Sequence, residues 1–170
     1  PLLAAALTAT SLLAVAQPPA APQARACPGE LPAGARCYTG EDGRGAFYWI
    51  ALPAGWERGV LVIHAHGGPA DTGPAKPERS EEDLRRWAIT VKAGHAWAGS
   101  TYRRGGYGIT MAAEDTERLR RIFVQHFGAP RRTLLHGQSY GAGVASKAAE
   151  LYATVDGRPG PYDGVLLTSG

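Results

Sequence analysis

The chain has 170 residues, 44% hydrophobic and 19% charged, a composition that supports a packed core and argues against wholesale disorder. That length suits one domain but is short for a complete large α/β enzyme. The net charge is +3, and the basic residues cluster only as pairs such as Arg85-Arg86, Arg103-Arg104 and Arg131-Arg132. Nucleic-acid binding calls for a concentrated basic stripe with interleaved aromatics, so no nucleic-acid partner is expected.

Leu2 to Ala16 is apolar or small throughout and ends in Ala14-Val15-Ala16, a small-x-small pattern. At about 15 residues it is too short to span a bilayer and the right size for the hydrophobic region of an export signal. Residues 1–16 are therefore expected to be a partial signal peptide, which makes the mature protein secreted or periplasmic, without a membrane span. Residues 17–36 follow as a flexible lead-in, richest in proline and alanine from Gln17 to Ala26. Cys27 and Cys37 are the only cysteines. In an exported protein two such residues are expected to pair; the alternative is two unconnected thiols. With no histidine nearby in sequence, no metal site is expected there.

From Cys37 onward strands and helices alternate. Ala46 to Leu52 is aromatic and β-branched, and Gly43 and Gly45 before it suggest a hairpin. Val60 to His64 is a short apolar run, as expected for a strand buried on both faces. Ser80-Glu81-Glu82-Asp83 resembles a capping box and is expected to open a helix, with Leu84, Trp87, Ala88 and Val91 on one face and Gly94 at its end. Ala96 to Thr101 is a second interior strand leading into the loop Tyr102 to Gly106. A helix is expected from about Met111 to Phe127, burying Leu119, Ile122, Phe123 and Phe127 and stopped by Gly128 and Pro130. Arg132 to His136 is a third strand, Gly141 to Ala153 a third helix, and Gly164 to Thr168 a fourth strand. This rhythm implies parallel crossovers and a sheet covered by helices.

The chemistry concentrates in Thr133 to Gly143, where Gly137-Gln138-Ser139-Tyr140-Gly141 lies between a strand and a helix. A serine on a sharp strand-to-helix turn tolerates only small residues two positions away on either side, and Gly137 and Gly141 meet that need. Attack by Ser139 would place negative charge on a carbonyl oxygen, which asks for two fixed N–H donors. Tyr140, at the head of the helix, is one candidate. The strand Val60 to His64 runs into His66-Gly67-Gly68. Pro69 has no N–H, which leaves Gly68 as the second candidate. His66 reads as a hydrogen bonder that braces the loop.

Gly-x-Ser-x-Gly together with His-Gly-Gly resembles the α/β-hydrolase superfamily, in its esterases and prolyl-oligopeptidase-like enzymes, over about Ala46 to Gly170. The resemblance implies a partial α/β-hydrolase fold: a mostly parallel sheet with helices on both faces, truncated after the strand that follows the serine, with residues 37–170 as the N-terminal part of the domain. It implies a serine hydrolase that needs no cofactor and acts on small-molecule esters, or alternatively on peptides, through Ser139. The superfamily carries its acid and its histidine after the serine. None of His64, His66, His95, His126 and His136 follows Ser139, and Asp156 and Asp163 come too early for the acid. Both partners are thus expected beyond residue 170, and this chain alone is expected to be inactive.

Two other readings compete. Gly137-x-x-x-Gly141-x-Gly143 also fits a dinucleotide-binding oxidoreductase, but that pattern belongs to a first strand, and no acidic residue ends the next strand to hold a ribose. A non-catalytic hydrolase-fold protein that binds a ligand would keep the same motifs.

Overall fold

The computed structural model describes residues 20–68, 73–106 and 108–169. The segment read as an export signal lies outside them. The elements are β1 (Gln23–Arg25), β2 (Arg36–Glu41), β3 (Phe47–Leu52), β4 (Val60–Ala65), α1 (Glu78–Arg86), α2 (Ile89–Lys92), β5 (Ala96–Ser100), α3 (Ile109–Phe127), β6 (Arg132–Gln138), α4 (Tyr140–Leu151), β7 (Thr154–Val155), β8 (Arg158–Pro159) and β9 (Gly164–Thr168). Seven strands form one sheet in the order β1-β2-β3-β5-β4-β6-β9, while β7 and β8 make a separate hairpin.

Helical crossovers make the site-bearing half parallel: β4 pairs with β5 and β6, and β6 with β9. The pairings β1/β2, β2/β3 and β3/β5 are antiparallel, so the sheet as a whole is mixed. Helices cover both faces. On one, Leu119 and Phe123 of α3 and Val144 and Ala145 of α4 pack with Ile50, Leu61, Ile63 and Leu135. On the other, Leu84 and Val91 join Cys37, Ala51 and Trp97. Burying one such large apolar side chain contributes about 1.5–3 kcal/mol, which is why the short strands hold without long ladders. At the end of the sheet, β9 leaves Val165, Leu166 and Leu167 exposed.

Two local expectations change. The first helix starts at Glu78 with Pro77 at its N-cap and no side-chain cap, so the capping box at Ser80 does not form. Ser80 is instead buried in the first turn, and its hydroxyl has no partner among the described residues. The helix also breaks at Trp87-Ala88 before α2, although Leu84, Ala88 and Val91 are buried as their spacing requires.

The stretch 17–36, read as a flexible lead-in, is not uniformly a linker. Within it Gln23–Arg25 adds an edge strand to β2, with Arg25 opposite Cys37, and a disulfide joins Cys27 to Cys37. Replacing both cysteines by alanine in the full-length protein is expected to cost about 2.5 kcal/mol, since the open loop regains entropy in the unfolded state. An unchanged urea midpoint would show that this bond contributes nothing.

Candidate active site

Strand β6 ends at Gln138 and α4 begins at Tyr140, which leaves Ser139 alone at the corner with φ 53° and ψ −122°. A non-glycine residue in this region carries about 1–3 kcal/mol of strain and stays there only when its surroundings dictate it. They do. The Ser139 N–H donates to the Thr168 carbonyl of β9 at 2.9 Å, and its own carbonyl accepts from the Ala142 N–H at 2.8 Å. The side chain is left exposed.

The flanking glycines are explained by backbone contact. A Cβ on Gly137 would land on the Gly141 carbonyl, and one on Gly141 would strike the carbonyls of Ala65 and His66. The corner is therefore pressed against the end of β4, where the 66–68 loop begins. Gly67 touches it as well: a Cβ there would lie 2.8 Å from the Gln138 carbonyl oxygen and 3.4 Å from the Ser139 Cβ. Sequence reasoning selected Gly68 and missed this role for Gly67; the doubled glycine was the available signal. Gly68 has φ 50°, so the loop turns sharply just past the contact. The structure thus brings together Ser139, Gly137, Gly141, Tyr140 at the start of α4, and the loop that holds Gly68.

That loop is braced from behind. His66 is 7% exposed, with Nδ1 3.0 Å from the Gly67 carbonyl and Nε2 3.2 Å from the Thr101 carbonyl. Burial pushes its pKa down, so at neutral pH the ring carries one N–H and donates to one of these carbonyls. Its face stacks on Tyr102 at 4.2 Å, and the Tyr102 hydroxyl donates to the His66 carbonyl at 3.2 Å. Tyr102 itself has φ 57°, a placement no sequence signal announced. Tyr102→Phe is expected to cost about 1 kcal/mol in urea unfolding, because a buried carbonyl loses its donor. No measurable change would show that water replaces the phenol.

Two hollows flank the corner. One, of about 520 Å³, is lined by Ser139, Ile109, Ala142, Gly143, Ser146 and Leu167, among others. The other, of about 340 Å³, lies behind the loop and is lined by residues including His66, Gly68, Arg79, Thr101 and Gly105. Two loops meet there: Pro74 bridges Arg104, and the Gly105 N–H donates to the Gly73 carbonyl at 3.0 Å. Residues 69–72 and 107 lie outside the described residues.

Among the described residues no histidine hydrogen-bonds to Ser139. Asp163 is occupied elsewhere, accepting from the Thr133 N–H at 2.8 Å and from Arg132 at 2.7 Å, and its pKa is lowered first by the Thr133 hydrogen bond. Asp156 sits in the turn between β7 and β8. Among the described residues no group of three or more His, Cys, Asp or Glu side chains could hold a metal ion, and no helix is long and apolar enough to cross a membrane.

No protein-family model and no curated protein matches the sequence. Solved structures do. The hormone-sensitive-lipase homologue EstE7 from a metagenome library is 20% identical, with a TM-score of 0.58 over 82% of this chain and 46% of that one. Esterase B from Lactobacillus rhamnosis, inhibited by a tributyrin phosphonate, is 22% identical, with a TM-score of 0.57 over 81% and 49%. An esterase of the bacterial hormone-sensitive lipase family is 26% identical, with a TM-score of 0.55 over 81% and 44%. This chain spans a little under half the length of each. The strand order, the crossovers and these neighbours show that the chain carries a partial α/β-hydrolase fold.

Proposed function

We propose that the full-length protein is a secreted or periplasmic serine hydrolase that cleaves carboxylic esters through an acyl-enzyme on Ser139. The observation that carries this reading is the serine itself: an exposed hydroxyl at a strained φ, on a corner between strand and helix, packed against a glycine loop. Strain of this kind is retained where function requires it. In this reading Ser139 Oγ attacks the ester carbonyl, and the resulting oxyanion is held by the N–H groups of Tyr140 and Gly68. The positive end of α4 adds to that stabilisation. Esters come before peptides because the structural neighbours are esterases, one of them inhibited by a phosphonate.

A lone serine hydroxyl is a weak nucleophile at neutral pH and needs a base. We assign the histidine and its acid to sequence beyond residue 170. The dinucleotide reading loses its main support, since Gly137 and Gly141 are accounted for by backbone contact alone.

A fluorophosphonate probe is expected to label the full-length protein on the peptide containing Ser139, and Ser139→Ala is expected to abolish labelling. Labelling elsewhere, or none in a protein that unfolds cooperatively, would favour the non-catalytic, ligand-binding reading. The 170-residue chain by itself is expected not to turn over p-nitrophenyl esters.

A further inference from the structure

His64 of β4 and His136 of β6 are register partners across the parallel ladder, and their Nδ1 atoms lie 3.0 Å apart. They are 1% and 6% exposed. Trp87, at the C-cap of α1, packs against both rings, and Trp97 of β5 stacks on His64. An Nδ1···Nδ1 hydrogen bond requires one ring to donate and the other to accept. Asp83 of α1 decides which, because its Oδ1 lies 3.8 Å from Nε2 of His64. A proton on His64 Nε2 faces that carboxylate favourably, so His64 Nδ1 is the acceptor and His136 Nδ1–H the donor. Burial first, then His64, pushes the pKa of His136 down to about 4, with Asp83 opposing. The His136 ring is therefore uncharged at neutral pH.

The two strands need something to fix their register. Val60 to Ile63 faces Arg132 to Leu135, and most of these side chains are apolar. A shift of two residues keeps every side chain on its own face, and it still sets Val60 against Leu134 and Leu61 against Leu135 in one direction, or Ala65 against Leu135 in the other. Such a shift would move Ser139 by about 6–7 Å along the 66–68 loop. It would also strand both imidazoles, His64 facing Leu134 or Gln138 instead of His136. Buried polar matches of this kind are the best-attested device for specifying register.

We propose that His64 and His136 are positioning residues whose single imidazole–imidazole hydrogen bond pins β4 to β6 and so sets Ser139 against the 66–68 loop. The catalytic part rests on the ester-hydrolase reading; the hydrogen bond does not. Neither residue touches the reacting atoms.

The test uses the full-length protein, with kcat and KM for a p-nitrophenyl ester and urea unfolding of each variant. His136→Leu leaves His64 Nδ1 without a donor and is expected to lower kcat at least about tenfold with KM little changed, as small misplacements do. His136→Asn places an amide N–H near the position of Nδ1 and is expected to stay within about threefold of the parent. Should His136→Leu fail to fold, the double variant His64→Leu/His136→Leu removes both polar groups, and its kcat is expected to fall while unfolding stays cooperative. Equal kcat for the Leu and Asn variants, or a double variant as active as the parent, would overturn the proposal. A readout independent of turnover is nitrogen NMR at pH 7, where a slowly exchanging His136 Nδ1–H coupled to His64 Nδ1 is expected and its absence overturns the pair. If the parent neither turns over the ester nor takes the fluorophosphonate, the hydrolase reading fails, and the NMR result alone judges the hydrogen bond.

Discussion

Ser139→Gly in the full-length protein is expected to raise stability by about 1 kcal/mol while removing ester turnover by about 10⁴-fold or more. The loss follows from removing the hydroxyl that would form the acyl-enzyme. The gain follows from the backbone. Ser139 has φ 53° and ψ −122°, where a side chain costs about 1–3 kcal/mol and glycine costs little. Part of the relief, about 0.5–1 kcal/mol, is offset because glycine loosens the unfolded chain. Ser139→Ala separates the two effects: it loses the hydroxyl but keeps a Cβ at the same φ, so turnover falls equally and stability stays within about 0.5 kcal/mol of the parent. Urea unfolding beside a p-nitrophenyl ester assay reads both quantities. A glycine variant less stable than the parent would mean that the corner stores no strain.

The corner was legible in sequence because its requirements are local. A serine that turns sharply between strand and helix demands small residues at fixed offsets, and Gly137 and Gly141 supply them in a five-residue window. The apolar run Val60 to Ile63 was equally plain, since strands covered by helices on both sides lose their polar alternation. Elements whose stability comes from partners were not legible. Strands β1 and β2 read Gln23-Ala24-Arg25 and Arg36 to Glu41, with almost no apolar period; β2 is held by pairing to β3, and β1 by pairing to β2, with the disulfide beside them. The start of α1 misled because Ser80 has the chemistry of a cap, yet the fold buries it and begins the helix at Glu78. Gly67, Tyr102 and the His64–His136 pair act through contacts between distant segments, the last spanning 72 positions. No window of sequence contains both members.

His136 also makes stability depend on pH below neutrality. His136 has its pKa pushed down to about 4, chiefly by burial and then by His64, against about 6.5 when unfolded. The unfolded chain therefore binds more protons between those values, and stability rises with pH across the window. The stabilisation is fully present above about pH 6.5 and is lost as pH falls through about 4, amounting to about 3 kcal/mol in all. Roughly 2 kcal/mol of it should be gone by pH 4.5. His66, also lowered by burial, acts in the same direction, so the parent alone does not isolate His136. His136→Asn does, because it removes the titrating ring and leaves His66 in place. Urea unfolding of parent and variant at pH 7 and pH 4.5 is expected to show a pH-dependent loss about 2 kcal/mol smaller in the variant. Equal losses in the two proteins would place the acid sensitivity elsewhere and show that His136 takes up its proton in the folded state as readily as in the unfolded one.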